Sequence, residues 1–177
     1  MVERRLDIYE RVAPVLAERG MRDLSMQQAA RAAHVSVGTL YRYFPNKRSL
    51  VLYGINPEPA DFLCARVTQS AAQPGDRRGM RVALASFIVQ TLQLMRPSVD
   101  AAIHLGPDVI RAQLNQVARQ PLQTFPVLLA MGMPVDDGRT PEQVERVVRR
   151  TIVSTLIEED FEPEELHETF QGILAGG

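Results

Sequence analysis

The stretch between residues 24 and 50 constrains this sequence more than any other feature, because it predicts two short helices joined by a tight turn. Ser25 followed three residues later by Gln28 forms a capping-box pattern, which indicates a helix start. A second helix is predicted over residues 36–44, where Pro45 stops it. A short helix, a tight turn and a second helix make a helix-turn-helix, the motif that places its second helix in the major groove of DNA.

Helical periodicity continues through most of the chain, which predicts an all-α fold. Further helices are predicted over residues 6–19, 47–53, 57–73, 78–96, 140–159 and 163–174. Pro14 lies inside the first of them, so we expect a kink there or a later start, and Gly20 is expected to end it. Pro97 is expected to separate the 78–96 helix from shorter helices after it.

Charge is distributed unevenly along the chain, although the net charge is only −1. Residues 1–50 carry nine basic and five acidic side chains, whereas the rest of the chain carries eleven basic and sixteen acidic ones. A basic head on an acidic body is expected if only the head meets phosphate.

Cys64 is the only cysteine, which excludes an internal disulfide framework and suits a reducing compartment. No apolar run approaches the roughly 18 to 20 residues needed to span a bilayer, and the first residues do not have the pattern of a signal peptide. We therefore expect a cytoplasmic protein.

Helical geometry places Val37, Gly38, Thr39, Arg42 and Tyr43 on or near the outer face of the second motif helix. Arginine can bridge guanine O6 and N7, hydroxyl groups suit phosphates, and a valine can touch a thymine methyl group. A glycine removes bulk where the helix approaches the groove floor. This face therefore has the chemistry of a DNA-reading surface.

The run from Val35 to Phe44, followed by Asn46, Lys47 and Leu50, resembles the signature of the tetracycline-repressor (TetR) family of transcription regulators. The resemblance covers roughly a quarter of the chain. It is much more specific than a generic helix-turn-helix pattern.

The resemblance implies a domain organisation. Residues 1–53 are expected to form a three-helix DNA-binding domain, and residues 54–177 a helical domain for ligand binding and dimerisation. The homodimer is expected to form through the last two helices, residues 140–159 and 163–174.

By the same resemblance, nine residues are expected at the DNA interface: Gln27, Ser36, Val37, Gly38, Thr39, Tyr41, Arg42, Tyr43 and Lys47. The glycine, the arginine and Val37 are expected to face bases, whereas the threonine, the lysine and the two tyrosines are expected to contact phosphates. Gln27 can reach a base or a phosphate. Tyr41 has an alternative role, in which its ring packs under the turn.

Three departures from the family pattern bear on this expectation, and the first is Pro14, which is unusual within the first helix. His34 stands in the turn where the family generally has glycine, which predicts a non-glycine residue at positive φ. The break from Gly54 to Pro59 shortens the fourth helix, which in the family links the DNA-binding head to the ligand-binding body. Whether ligand binding is transmitted in the usual way is therefore open.

Methionine and aromatic residues in the body are candidates for an adaptable, largely apolar ligand pocket. The candidate ligand-binding residues are Met80, Phe87, Met95, His104, Phe125 and Leu128, with His104 as a polar anchor. Simple core packing explains the same apolar residues.

The sequence offers no convergent set of acid, base and nucleophile, no zinc-finger spacing and no phosphate-binding glycine loop, so we expect no enzymatic activity, metal or cofactor. The pair Glu164 and His167 has the spacing of half a di-iron site, but such a site needs a second pair. We expect a homodimeric repressor that a small, largely apolar molecule releases from a palindromic operator. The alternatives are a DNA-binding accessory protein controlled by a protein partner and, less favoured, an enzyme that carries a helix-turn-helix.

Overall fold

The computed structural model describes residues 2–71, 76–119, 125, 138–157 and 162–175. Every secondary-structure element within these ranges is a helix, so the predicted all-α class is confirmed. No helix in the described part of the chain is both long enough and apolar enough to cross a membrane.

Helix α1 (Val2–Asp23) runs through Pro14 without interruption, so the predicted late start or kink at this proline is wrong. The proline lies on the exposed side of the helix, while Val12 and Leu16 are buried on the other side. Packing on both sides of the proline offsets the cost of about 3 kcal/mol for an interior proline. The helix departs from helical geometry at Gly20, where φ is 70°, as the predicted end there requires.

Three helices of seven residues each come after α1: α2 (Met26–Ala32), α3 (Val37–Tyr43) and α4 (Lys47–Tyr53). Their bounds agree with the sequence prediction to within one or two residues. Isolated helices of this length are marginal in water, so their ends and their buried faces must stabilise them.

Helix α5 (Pro57–Ala71) begins at the predicted proline, and α6 extends over Arg77–Ala102. The predicted break at Pro97 is wrong, because α6 continues through it. The next residues, Ser98 and Val99, are buried, and their packing outweighs the lost backbone hydrogen bond.

A short 3₁₀ turn (Ile103–Leu105) and helix α7 (Pro107–Arg119) come next. Gly106 separates them with φ of 101°, a conformation that glycine adopts without steric cost.

The last two helices are α8 (Pro141–Ile157) and α9 (Pro163–Ala175). The start of α8 is capped as predicted, since Thr140 and Gln143 exchange backbone-to-side-chain hydrogen bonds of 2.7 and 3.3 Å. Residues 158 and 159 of the predicted helix lie outside the described residues. Arg139 donates a hydrogen bond of 3.2 Å to the carbonyl of Ile173, so the start of α8 lies beside the end of α9.

The chain divides into two compact units by packing. The first comprises residues 1–59 and 93–116, and the second comprises residues 60–92 and 117–177. Helix α6 therefore contributes its first part to the second unit and its last part to the first. The domain boundary after residue 53 stays a prediction.

Candidate nucleic-acid interface

The turn between α2 and α3 is a Schellman motif closed by two backbone hydrogen bonds of 3.0 Å. His34 donates to the carbonyl of Arg31, and Val35 donates to the carbonyl of Ala30. His34 adopts φ of 55°, the positive value that its place in the sequence predicts. The motif satisfies two carbonyls at the end of α2 and fixes the direction in which α3 leaves the turn.

Side-chain caps fix where the two motif helices begin. Ser25 and Gln28 form the predicted capping box at the start of α2. At the start of α3 the Ser36 Oγ accepts a hydrogen bond of 3.0 Å from the amide of Thr39 and lies 2.8 Å from the Thr39 hydroxyl. Leu40 is fully buried, so it turns the opposite face of α3 outward.

All nine residues predicted for DNA contact lie at least partly at the surface. Gln27, Ser36, Gly38, Tyr41 and Arg42 are exposed, and Val37, Thr39, Tyr43 and Lys47 are half-buried. The Tyr41 ring is 46% exposed, which the alternative of a ring packed beneath the turn does not predict. A Cβ atom added to Gly38 would meet only the Ser36 Oγ at 3.9 Å, so the space above this glycine is open.

Two basic side chains of the candidate interface each make a weak contact at the surface. The Arg42 guanidinium lies 5.2 Å from the centroid of the Tyr43 ring. The Lys47 Nζ donates a hydrogen bond of 3.3 Å to the carbonyl of Arg22 at the end of α1. Lys47 begins α4, which Asn46 caps. Exposed contacts of this kind contribute little stability, so both side chains can exchange them for DNA at low cost.

The electrostatic character of this surface is basic. Arg31, Arg42 and Arg48 are exposed near the motif, and Lys47 is half-buried. Among the residues that the structure describes, none of these four forms an ion pair. Their charges therefore remain available to phosphates.

An aromatic cluster supports the motif from beneath. The Tyr53 ring packs edge-on against Tyr9 and Phe44, with centroid distances of 5.7 and 5.3 Å. Arg5 covers this cluster with its guanidinium 4.5 Å from the Tyr53 ring centroid, and it pairs with Glu58 at 3.0 Å. Burial raises the pKa of the Tyr53 phenol, and the nearby Glu58 carboxylate adds to the effect.

A buried chain of hydrogen bonds joins α1, α4 and the last part of α6. The Tyr9 hydroxyl bonds to Ser98 Oγ and, at 3.3 Å, to the carbonyl of Leu94, while Ser98 donates to the carbonyl of Val51. Gly54 lies against this chain, and a Cβ atom there would overlap the Tyr9 hydroxyl and Ser98 Oγ. Burial raises the pKa of the Tyr9 phenol, although its bond to Ser98 opposes the rise, so the hydroxyl stays protonated.

Sequence reasoning missed these positioning residues. The available signal was Ser98, a serine that continues the buried apolar face of α6 between Met95 and Ala102. A polar residue on such a face needs a buried partner. The sequence does not say which residue provides that partner.

The structure places the predicted ligand-binding residues in both units. Met80, Phe87 and Phe125 are buried in the second unit, and the two rings lie 5.6 Å apart. Met95 is buried in the first unit, where His104 is exposed. Leu128 lies outside the described residues. None of the other five lines the surface groove between α6 and α9 in the second unit, and the role of all six in ligand binding stays a prediction.

Comparison with known proteins bears directly on the motif. Residues 10–53 match the family model described as bacterial regulatory proteins, tetR family. Over this segment the chain is similar to the TetR family. The matched segment contains all of α2, α3 and α4, so the similarity includes the capped helices and the Schellman turn.

Similarity extends beyond the motif. The HTH-type transcriptional repressor KstR from Mycobacterium tuberculosis is 26% identical over 157 residues, which cover 88% of this chain and 70% of that protein. The TetR family repressor AlkX from Dietzia sp. strain DQ12-45-1b, implicated in biodegradation of n-alkanes, matches with a TM-score of 0.56 at 18% identity, over 96% of this chain and 93% of its own. The transcriptional regulator FadR from Bacillus subtilis, solved in complex with stearoyl-CoA, matches with a TM-score of 0.51 at 18% identity, over 96% and 97% of the two chains. The two structural likenesses establish a shared fold.

Proposed function

We propose that this protein is a regulator of the TetR type, a homodimeric repressor that a small, largely apolar molecule releases from a palindromic operator. The observation that carries the proposal is the exposed face of α3, whose start is fixed by the Ser36 cap and the turn at His34. The same segment lies within the family match over residues 10–53.

The exposed surface of the motif, formed by α3 with the neighbouring ends of α2 and α4, has separate places for base and phosphate contacts. Val37, Gly38 and Arg42 are assigned to base edges, because a guanidinium can bridge guanine and the open space at the glycine permits close approach. Thr39, Tyr41, Tyr43 and Lys47 are assigned to phosphates, and Gln27 and Ser36 lie where they can add contacts at the edge of the motif. Phosphate contacts would fix the register of α3 on the duplex, whereas base contacts would select the sequence.

Dimerisation follows from the short reach of one α3 helix. A single seven-residue helix reads only a few base pairs, so a family of this kind gains specificity by presenting two copies to two half-sites. The centres of the half-sites are expected roughly 34 to 36 Å apart or at a multiple of that spacing.

The proposed ligand is largely apolar because the candidate ligand-binding residues in the second unit are themselves apolar. Phe87 and Phe125 are fully buried against each other, and Met80 adds a flexible, polarisable side chain to the same unit. The stearoyl-CoA found with the structurally similar FadR provides the first compound to test. A ligand would act by favouring a state whose two heads no longer match the half-site spacing.

Selection of random duplex DNA by the purified protein, at one stated salt concentration, tests the DNA-binding part. We expect one palindrome with a fixed half-site spacing to be enriched. An Arg111→Ala variant is the matched control, since it removes an exposed arginine of α7 outside the motif. Salt-dependent binding without any enriched sequence would contradict the proposal and favour an accessory protein.

Release of the selected operator tests the ligand. Stearoyl-CoA is added to the preformed complex, with coenzyme A alone as the control for its polar part, followed by a panel of fatty acids and sterols. Release by an acylated or sterol compound, but not by coenzyme A, supports the proposal. A complex that no apolar compound of the panel releases would point instead to control by a protein partner.

A further inference from the structure

Helix α8 buries two charged side chains, Glu145 and Arg149, on its apolar side. The buried apolar residues of this side are Val144, Val148, Ile152 and Leu156. Glu145 is only 3% exposed and Arg149 only 9% exposed, and their charged groups lie 3.3 Å apart. Arginine and glutamate are almost never buried this deeply unless they are paired. The pair satisfies this rule, but only for part of the arginine.

Two nitrogens of the Arg149 guanidinium have no partner. Arg149 Nη2 contacts Glu145, whereas Nε and Nη1 are buried without a hydrogen-bond partner among the described residues. A guanidinium has five N–H donors and no acceptor, so only an acceptor group can satisfy them. A buried donor without an acceptor has lost its hydrogen bonds to water and gained nothing in exchange. These two nitrogens are therefore places where another molecule can bind.

The other buried hydroxyl groups of the second unit are satisfied within their own helices. The Thr91 hydroxyl donates to the carbonyl of Phe87 at 2.8 Å, and the Thr155 hydroxyl donates to the carbonyl of Thr151 at 2.9 Å. In the described part of the second unit, Arg149 is thus the buried side chain whose donors remain unused.

Helix α8 does not need the charged pair for its own stability. Its start is capped by Thr140 and Gln143, and an apolar face runs along its length. Replacing a buried ion pair with apolar residues of similar volume is often neutral or stabilising. A role in binding explains a buried arginine at this place better than a role in folding does.

Charge restricts the chemistry of the group that Arg149 can hold. Its unused donors exclude protonated amines, which are donors themselves, and plain hydrocarbons, which have no acceptor. Hydrogen bonds from a guanidinium to an anionic oxygen are stronger than those to a neutral one. The nearby Glu145 does not exclude a second carboxylate, because the charge of a guanidinium is delocalised over its planar group.

The burial of Arg149 restricts the size of that group. A residue that is 9% exposed can be reached only by a compact head group, such as a carboxylate. The nucleotide portion of coenzyme A is far larger and carries several phosphates. A thioester of coenzyme A would therefore not present its polar end to Arg149.

We propose that Arg149 binds the carboxylate of the effector, which is therefore an apolar acid in its free form. The inference rests on the proposed function, since it names the head group of the molecule that releases the operator. The apolar remainder would contact candidate residues of the same unit, such as Phe87 and Phe125. Straight-chain and steroid acids share this head group, and the test distinguishes them.

Matched pairs of acids and methyl esters provide the test on the wild-type protein. Straight-chain acids from octanoate to stearate, and the steroid acid cholanate, are titrated calorimetrically beside their methyl esters and beside straight-chain amines. At least one acid should bind at least roughly tenfold more tightly than its ester, because the ester has no charge. The amines should not bind, and stearoyl-CoA should bind more weakly than stearate.

Two variants assign this preference to Arg149. In the first, E145L with R149M, apolar residues replace the charged pair. In the second, Arg149→Gln, the amide can still donate to Glu145, so this variant provides the comparison if the first does not fold. Both should bind an acid and its ester equally, with the affinity for the ester near that of the wild type. Arg150→Met is the matched control, since it removes an exposed arginine from the next position of α8.

The outcomes separate this inference from the proposed function. A wild type that binds acids and esters equally, or binds neither, would overturn the inference. A preference for acids that persists without Arg149 would also overturn it. Release of the operator by acids and esters alike would support the proposed function and contradict the inference alone. Binding of an acid that depends on Arg149 but does not release the operator would support the inferred contact and contradict the proposed role of the ligand.

Discussion

The helices of the helix-turn-helix and those of the second unit are stabilised by different interactions. Helices α2, α3 and α4 have seven residues each, so the unpaired backbone groups at their ends affect most of their length. Each therefore begins at a side-chain cap, Ser25, Ser36 or Asn46. Helix α8 has seventeen residues and buries Val144, Val148, Ile152 and Leu156 along one side. Local caps define the first region, whereas the second depends on its apolar face.

This difference explains in which region the functional residues can be recognised from the sequence. In the motif, the caps fix the backbone with few side chains, so the exposed positions are free to carry the chemistry of DNA reading. In the second unit the apolar face is needed for folding, and the same residues would line a pocket. The residues of a ligand site are therefore hidden among residues that only pack.

The largest expected effect comes from a substitution at Gly54, which lies against the buried hydrogen-bond chain beneath the motif. In a Gly54→Ala variant the new methyl group overlaps the Tyr9 hydroxyl and Ser98 Oγ, so the buried hydrogen-bond chain must shift. We expect the free energy of unfolding to fall by about 3 kcal/mol, measured by urea denaturation.

Gly38→Ala is the matched control, because the space above this glycine is open and α3 gains a better helix former. Its stability should rise slightly, while operator binding weakens. Equal destabilisation by the two substitutions would show that Gly54 is not a site of close approach.

The sequence predicted the motif almost residue by residue, since every signal there is local. Ser25 and Gln28 identified one helix start, and His34 identified the residue at positive φ. The predicted interruptions at Pro14 and Pro97 were wrong because the contacts that matter there are not local. From the sequence, an interior proline predicts only that one backbone hydrogen bond is lost. Whether the helix continues through it depends on how well the residues on either side are buried, and that burial is provided by other elements of the fold.

The next largest effect separates base reading by α3 from phosphate binding at the start of α4. Arg42→Ala should relax discrimination at one base pair per half-site by about 2 kcal/mol. Lys47→Ala should instead weaken all sequences alike and reduce the salt slope of binding by about 0.9 per head. Titrations of specific and random DNA at several salt concentrations measure both. Equal losses of the two variants on both DNAs would contradict the assigned roles.

A smaller effect tests packing in the second unit through Cys64, which is buried in α5. Burial raises the pKa of the Cys64 thiol to about 12, and Asp61 adds to the rise. Because the folded pKa is above the unfolded one, the stabilisation is complete below about pH 8.5 and is lost as the pH rises toward 12. Between about pH 8 and 10 the wild type should therefore lose about 1.5 kcal/mol more stability than Cys64→Ala. Parallel losses in urea denaturation would mean that the thiol is reachable by solvent.

The smallest effect concerns the turn between α2 and α3, where a residue other than glycine adopts a positive φ. His34 has φ of 55°, which costs a side chain with a Cβ about 1 kcal/mol relative to glycine. His34→Gly should therefore stabilise the protein by up to about 1 kcal/mol and leave operator binding unchanged, because the Schellman hydrogen bonds are made by the backbone. Arg31→Gly, in the right-handed part of α2, should destabilise it by about 1 kcal/mol. Opposite signs for two glycines three residues apart would show that local backbone geometry governs this region. A loss of stability in both would place the histidine side chain itself among the contacts that hold the turn.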